Sequence, residues 1–374
     1  MRNRLLVAAL VVALLAAAGA RAAGAAGSAP GDPQPMLAYY YIWYDASSWR
    51  RAKSDYPQLG RYSSDNVRVL RQHVRWAKQA GIDGFIVSWK STKTLNRRLA
   101  KLVAVARREN FKLAIIYQGL DFYRNPQPAR RVARDLRWFA RTYGHDPVFD
   151  IFGKPLVIWS GTWKFNAGAI ASATARVRDS LLVLASEKNV TGYHRIAKAV
   201  DGDAYYWSSV NPYTYPGYEA KLADLSIEVH NEDGLWLAPA APGFDARRVG
   251  GTRIVPRYDG DTLRREVDAA VQSSADAIGL ISWNEFSENS HVEPSKRYGR
   301  RYLTVLRDIR GAHVSPKTDI DSSDASSGIG YGLPILTGLI GVVFATLLVA
   351  FTRRHIGRNQ PPPSTPASAG DAKT

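Results

Sequence analysis

The stretch Ala277-Ile278-Gly279-Leu280-Ile281-Ser282-Trp283-Asn284-Glu285-Phe286-Ser287-Glu288, followed by Val292-Glu293-Pro294, decides how the chain is read. An apolar run that stops on Asn-Glu reads as a buried strand ending at a polar rim. Two glutamates so close on such a rim repel one another and are partly desolvated, so their pKa values are driven apart. A carboxyl pair with separated pKa values suits cleavage of a glycosidic bond, where one group accepts a proton while the other donates one. Taken alone, an E-x-x-E spacing is most often a solvated pair on a surface loop, because carboxylates are mostly exposed. The apolar lead-in and the adjoining Trp283 and Asn284 turn the reading toward a site.

Similar short apolar runs recur from residue 36 to 310 and alternate with amphipathic stretches. Candidate strands are Met36–Tyr41, Gly84–Trp89, Leu113–Tyr117, Leu156–Trp159, Ala204–Trp207, Leu235–Ala238 and Ala277–Ser282. Candidate helices include Val67–Gln79, Thr94–Arg108, Pro128–Tyr143, Ala167–Ala185 and Thr262–Gln272. Strand–helix alternation at this density predicts an α/β fold with a parallel sheet and helical crossovers. The number of units and the length favour a closed (β/α)8 TIM barrel over an open doubly wound sheet. No G-x-G-x-x-G opens a helix after the first strand, so a dinucleotide-binding fold lacks its mark.

Aromatic and polar residues gather at the C-terminal ends of these runs: Tyr41, Trp43 and Tyr44, then Trp89, Tyr117 and Gln118, Trp159, Tyr206 and Trp207, and Trp283 to Glu285. In a barrel those ends form one face, the catalytic one. Rings placed there stack on the apolar faces of sugars while their polar edges bond hydroxyls. Any single ring is as well explained by core packing, since aromatics are largely buried. Recurrence at the same end of several strands favours a site.

The chain has 374 residues, no cysteine and a formal net charge of +17. The absence of cysteine removes disulfides, thiolate catalysis and cysteine metal sites together. Arginines alternate with apolar residues, as in Ala129-Arg130-Arg131-Val132-Ala133-Arg134-Asp135-Leu136-Arg137, which is the pattern of a solvated helix face. No compact basic tract with interleaved aromatics is present, so no nucleic-acid partner is expected. Attraction to anionic envelope polymers or lipid headgroups fits the charge. The seven histidines form no H-E-x-x-H, and His73, His145, His194, His230 and His291 are widely dispersed. Neither a metal nor a cofactor is expected, and the G-x-S-x-G and P-loop motifs are missing.

Both ends concern a membrane. Arg2 and Arg4 precede the apolar segment Leu5–Ala18 and the small residues Ala20-Arg21-Ala22, which reads as a signal peptide over 1–22. Residues 23–35 are a flexible lead-in, 36–310 the barrel, and 311–330 a Ser/Asp/Gly linker. An apolar helix over 331–352 matches one bilayer thickness. Arg353, Arg354 and Arg358 follow it and Asp319, Asp321 and Asp324 precede it, which places the disordered tail 353–374 in the cytosol. The expected arrangement is a single-pass protein of the cell membrane with its barrel extracellular. Oligomeric state is left open.

Over roughly 36–310 the chain resembles glycoside hydrolase family 99, the endo-acting α-mannosidases. The resemblance rests on Tyr41-Ile42-Trp43-Tyr44, Ile86-Val87-Ser88-Trp89, Gly153-Lys154-Pro155-Leu156, and Asp201-Gly202 leading to Tyr206. It continues through Ala241-Pro242-Gly243-Phe244-Asp245, Arg257-Tyr258-Asp259-Gly260, and Ser282 to Glu288 with Glu293-Pro294. It implies a retaining, metal-independent hydrolase without a protein nucleophile, in which a glutamate deprotonates the sugar's own 2-hydroxyl to give a 1,2-anhydro sugar. By position Glu285 is that base, Glu288 the general acid and then base, and Tyr206 a tyrosine of the cleavage subsite. Departures are Ser287 for the family's His, Phe286 for its Trp, Asn289 for its Gly, Gln118-Gly119 for its Glu-Pro after the third strand, and Ile42 for its Pro.

The candidate site thus comprises Glu285 and Glu288 as the catalytic pair. Tyr41, Trp43, Tyr44, Trp89, Gln118, Tyr206, Arg257, Trp283, Asn284 and Glu293 are the candidate glycan contacts. The expected substrate is α-mannan or another α-linked glycan. Two other readings remain open: a related barrel acting on a different α-glycan or in polysaccharide biosynthesis, and a non-catalytic glycan-binding surface protein. The paired carboxylates weigh against the last, since two close like charges cost stability. The Ser287 substitution keeps it open.

Overall fold

The computed structural model describes residues 33–312. Along them strands and helices alternate: β1 (Met36–Tyr41), α1 (Val67–Gln79), β2 (Gly84–Trp89), α2 (Lys93–Glu109), β3 (Lys112–Gln118), α3 (Ala129–Tyr143), β4 (Leu156–Ser160) and α4 (Ala167–Thr174). There follow β5 (Leu182–Leu184), α5 (Val190–His194), β6 (Gly202–Ala204), α6 (Tyr218–Asn231), β7 (Leu235–Ala240), α7 (Asp261–Gln272), β8 (Ala277–Leu280) and α8 (Arg301–Ala312). A short antiparallel ribbon, Phe244–Asp245 against Ile254–Val255, stands between β7 and α7. The strands form one parallel eight-stranded sheet in the order β5-β4-β3-β2-β1-β8-β7-β6. Its two ends meet through a parallel bridge between Ala185 and Asp203. There the Ala185 N–H donates to the Gly202 carbonyl and the Ala204 N–H to the Ala185 carbonyl, each at 2.9 Å. The ring is therefore closed, as the alternation of patterns predicts.

The strands read as unbroken apolar runs because both faces are covered. Leu37, Tyr39, Ile86, Ile116, Ile158 and Leu237 fill the barrel interior, while Tyr40, Phe85, Val87 and Ile115 point outward under the helices. Helix α1 buries Leu70, His73, Val74 and Ala77, which is one stripe at helical spacing. Its first turn is closed by the Asn66 side chain, which accepts from the Arg68 N–H; Thr92, Asn166 and Asn189 cap α2, α4 and α5 in the same way. The interior is tight at β8, where a Cβ on Gly279 would come within 3.0 Å of the Tyr39 ring.

Two expected elements are corrected. The helix expected over Ala167–Ala185 ends at Thr174, and Leu182–Leu184 is the fifth strand. A three-residue strand buried within an apolar run has no period of its own, so periodicity cannot separate it from a helix. The strand expected at Ala204–Trp207 instead ends at Ala204, and Tyr205 to Trp207 leave the sheet for the loop above it. That strand opens on Gly202, at φ 145°, where a Cβ would lie 2.1 Å from the Leu235 carbonyl oxygen. Among the described residues no helix is long and apolar enough to cross a membrane. The segments 1–22, 331–352 and 353–374, and most of 23–35 and 311–330, lie outside the described residues.

The tight contact at β8 gives a test of the interior. Gly279→Val is expected to displace Tyr39 and lower stability by about 1–3 kcal/mol. Urea unfolding of wild type and variant measures it; unchanged stability would mean that the barrel interior has room that this packing denies.

Candidate active site

After β8 the chain turns back on itself between Ser282 and Val292. The Ser282 N–H donates to the Ser290 carbonyl at 2.8 Å, the Val292 N–H to the Ser282 carbonyl at 3.0 Å, and the Glu293 N–H to the Trp283 carbonyl at 2.9 Å. The Trp283 N–H extends the β8–β1 ladder by donating to the Tyr39 carbonyl at 2.8 Å. Asn284 then imitates one more rung with its side chain. Its Oδ1 accepts from the Tyr41 N–H at 2.8 Å and its Nδ2 donates to the Tyr41 carbonyl at 3.0 Å. The Tyr44 hydroxyl donates to the Asn284 carbonyl at 2.5 Å. The backbone on which Glu285 stands is thereby locked to the end of β1.

The far side of the loop is held by a buried arginine. Arg257 donates to the carbonyls of Asn289 and His291 at 2.8 and 2.7 Å, with its guanidinium 4.4 Å from the ring centres of both Tyr298 and Tyr302. Beneath the loop a second polar set is fully buried. Glu293 accepts from the Tyr62 hydroxyl at 2.8 Å and meets His73 Nε2 at 3.1 Å, while His73 Nδ1 meets the Tyr40 hydroxyl at 2.8 Å. Charged and polar groups at this depth are tolerable only when paired, and here each has its partner.

Between these supports Glu285 and Glu288 open onto a cavity of about 480 Å³. Tyr41, Trp43, Gln118 and Tyr206 share its wall, and the Tyr41 and Tyr206 hydroxyls meet at 2.6 Å. Burial and the two neighbouring carboxylates hold both phenols well above their usual range, so they stay neutral hydrogen-bond donors. Gln118 Nε2 donates to the Ser88 hydroxyl at 2.7 Å.

The two glutamates are unequal. Burial raises both. At Glu285 this is opposed by the Ser287 N–H, which donates to its carboxylate at 2.9 Å, and by the charges of Lys53 and Arg51. At Glu288 the charge of Glu285 adds to burial and only Arg124 opposes, so its pKa is pushed up to about 7. The pair titrates as a unit, and the Ser287 N–H with the two cations favours the charged form of Glu285.

The structure brings six of the expected residues to the cavity: Glu285, Glu288, Tyr41, Trp43, Gln118 and Tyr206. The other six expected glycan contacts do not line the cavity. Tyr44, Arg257, Asn284 and Glu293 are buried in the contacts just described. Trp283 is fully buried against Phe85 and His73. Trp89 faces the helices, where its indole N–H donates to Asn96 at 2.9 Å and its ring stacks on Trp138. A position at the end of a strand does not say which way the side chain points, and alternation sends half of them outward. Several wall residues were missed because they lie beyond the barrel strands, in the connections and the ribbon above them: Arg124, Trp163, Lys188, Tyr205, Ser208, Phe244 and Arg253. One trio, His194, Glu228 and Glu232, has ligand atoms close enough to share an ion. None of the three lines the cavity, and they already pair among themselves and with Lys198.

Comparison with known proteins bears on the whole barrel. The model of glycosyl hydrolase family 99 matches residues 44–308. The chain belongs to this family. Among curated relatives it is 20% identical to the glycoprotein endo-alpha-1,2-mannosidase of Rattus norvegicus over 265 residues, covering 64% of this chain and 56% of the relative. It is also 20% identical to a glycoprotein endo-alpha-1,2-mannosidase-like protein of Mus musculus, covering 75% and 76%. The chain thus spans little more than half the length of the first of these. Among solved structures it is similar to the GH99 endo-alpha-mannosidase from Bacteroides thetaiotaomicron, with a TM-score of 0.67, 21% identity, and coverage of 75% of this chain and 98% of that one. A glycoside hydrolase-like protein superimposes with a TM-score of 0.56 at 15% identity. At these identities the structural likeness speaks for the fold. In this family 99 chain the two loop glutamates and Tyr206 line one cavity.

The Asn284 clamp is testable by itself. Asn284→Ala strands two buried backbone groups of Tyr41 and is expected to lower stability by about 2–4 kcal/mol. Denaturant unfolding measures it, and a change below about 0.5 kcal/mol, the range of ordinary surface substitutions, would contradict the clamp.

Proposed function

We propose that the chain is a retaining endo-acting α-mannosidase in which Glu285 is the base and Glu288 the acid. The observation that carries this reading is the inequality of the pair: burial and mutual repulsion act on both, but hydrogen bonding from Ser287 and two cations favour the charged form of Glu285, while only Arg124 opposes the proton on Glu288. In the first step Glu285 takes the proton of the sugar 2-hydroxyl and that oxygen attacks the anomeric carbon. The bond to the leaving sugar breaks, and its oxygen receives the proton of Glu288. The product of this step is the 1,2-anhydro sugar that the family resemblance implies. In the second step the Glu288 carboxylate takes a proton from water, and the water oxygen opens the three-membered ring at the anomeric carbon. Glu285 returns its proton to the 2-oxygen. Two inversions give net retention. In the chair of an α-mannoside the axial 2-hydroxyl already lies anti to the axial bond to be broken, so the cavity has only to hold the ring in place while that oxygen closes on the anomeric carbon. Tyr41 and Trp43, with ring centres 4.3 Å apart, form an aromatic wall suited to stacking on the sugar.

The cytosolic tail, the membrane helix over 331–352 and the signal peptide over 1–22 belong to the same proposal and place the barrel outside the cell. Protease added to intact cells is expected to remove the barrel; protection until lysis would contradict that placement.

Glu288→Gln is expected to lower kcat by about two orders of magnitude or more, with partial recovery on substrates whose leaving group needs no proton. Glu285→Gln is expected to lose activity on both kinds of substrate. Full activity of the Glu288→Gln protein overturns the assignment, and binding without turnover by the wild type favours the non-catalytic reading. The pH dependence has a definite sign. The acid must hold its proton, so kcat/KM falls as pH rises through about 7, the value to which Glu288 is pushed. A rate that keeps rising above pH 8 would show that Glu288 is not the acid.

A further inference from the structure

The wall of the cavity carries three cations as well as the catalytic carboxylates. Arg124 comes from the loop after β3, Lys188 from the loop after β5, and Arg253 from the ribbon after β7. None of the three forms an ion pair among the described residues. Carboxylates near them in sequence are already committed elsewhere. Glu187 pairs with Arg195 at 3.2 Å, and Asp245 pairs with Arg247 at 2.7 Å. Lys188 is held in place by the Trp163 ring, 4.3 Å below its ammonium group, and Trp163 also lines the cavity. Elsewhere the arginines find partners readily, as Arg98 does with Asp65 and Arg178 with Asp201. Others, such as Arg130 and Arg137 on the solvent face of α3, form no ion pair among the described residues either; what sets these three apart is that they share one wall with both carboxylates.

The only carboxylates on that wall are Glu285 and Glu288. Glu288 must be protonated to act, which leaves three positive charges facing one negative one. All three are exposed at the rim, and a neutral glycan laid over them would displace part of their water and give them no anion in return. A phosphate or carboxylate would repay that desolvation, and a guanidinium offers either of them a two-pronged contact.

We propose that the glycan cleaved here carries an anionic substituent, a phosphate ester or a uronic acid carboxylate, received by Arg124, Lys188 and Arg253 beside the scissile linkage. The position of the linkage rests on the hydrolase reading above; the charge of the ligand does not. Arg124 is also the cation that opposes the upward shift of Glu288. An anion that engages Arg124 removes this opposition, so a charged substrate strengthens the hold of Glu288 on its proton. Binding and acid catalysis are thereby coupled with a fixed sign.

The test uses the full chain carrying Glu288→Gln, which binds without turnover, and isothermal titration with three probes. These are a neutral α-mannotriose, the same trisaccharide bearing a 6-phosphate, and one ending in a glucuronic acid. At least one charged probe is expected to bind about tenfold or more tightly than the neutral one at low salt. The advantage should shrink as salt rises and vanish in the Lys188→Gln, Arg253→Gln background. The tighter of the two charged probes tells phosphate from carboxylate. Equal affinities, no binding by any probe, or an advantage that survives the double substitution overturns the proposal. If the wild type binds the charged probe but cleaves none of the three, the charge assignment stands and the hydrolase reading falls. In the wild type, the alkaline limb of kcat is expected at higher pH for a charged substrate than for a neutral one. A limb at the same pH, or a lower one, contradicts the coupling through Arg124.

Discussion

Mutual repulsion between Glu285 and Glu288 is the constraint around which this end of the barrel is built. Two carboxylates on a desolvated wall would relax apart if their backbone could move. It cannot move freely, because both margins of the loop are tied down. Asn284 replaces a missing strand rung on the β1 side, and Arg257 grips two carbonyls on the other. The buried set of Glu293, His73, Tyr62 and Tyr40 then fixes where the chain resumes after the loop. Function therefore depends on residues that never touch the cavity.

Once position is fixed, surroundings divide the labour. The same burial acts on both glutamates, so burial alone could not tell acid from base. Their mutual repulsion is likewise shared, and the difference comes from the other neighbours: an N–H and two cations at Glu285, a single cation at Glu288. Tyr41 and Tyr206 add neutral donors at the same wall without adding charge. This is a division made by a handful of contacts, Ser287 among them through its backbone N–H and its side chain.

The barrel was legible in the sequence because its strands are buried on both faces and so appear as solid apolar runs. β5 escaped because three buried residues inside a longer apolar stretch carry no signal of their own. The carboxylate pair was legible for a local reason: a strand, its rim and both carboxylates lie within one short segment. Which strand-end residues line the cavity was not legible, because strand-end position fixes height in the barrel but not the direction of the side chain. Trp89 and Tyr41 illustrate this, the first turned to the helices and the second to the cavity. The cations Arg124, Lys188 and Arg253 could not be picked out from so many basic residues, since their partnerless state is a property of the folded loops and not of spacing.

The central claim is that these surroundings separate the two ionisations. Carbon-13 NMR of side-chain carboxyl groups, titrated in the wild type and in Glu285→Gln, reads this directly. One glutamate is expected to titrate near 7 in the wild type and to fall in the variant, because the facing charge that raises it is gone. If every glutamate titrates in the ordinary carboxylate range, or if the raised value is indifferent to Glu285, the account of the site is wrong.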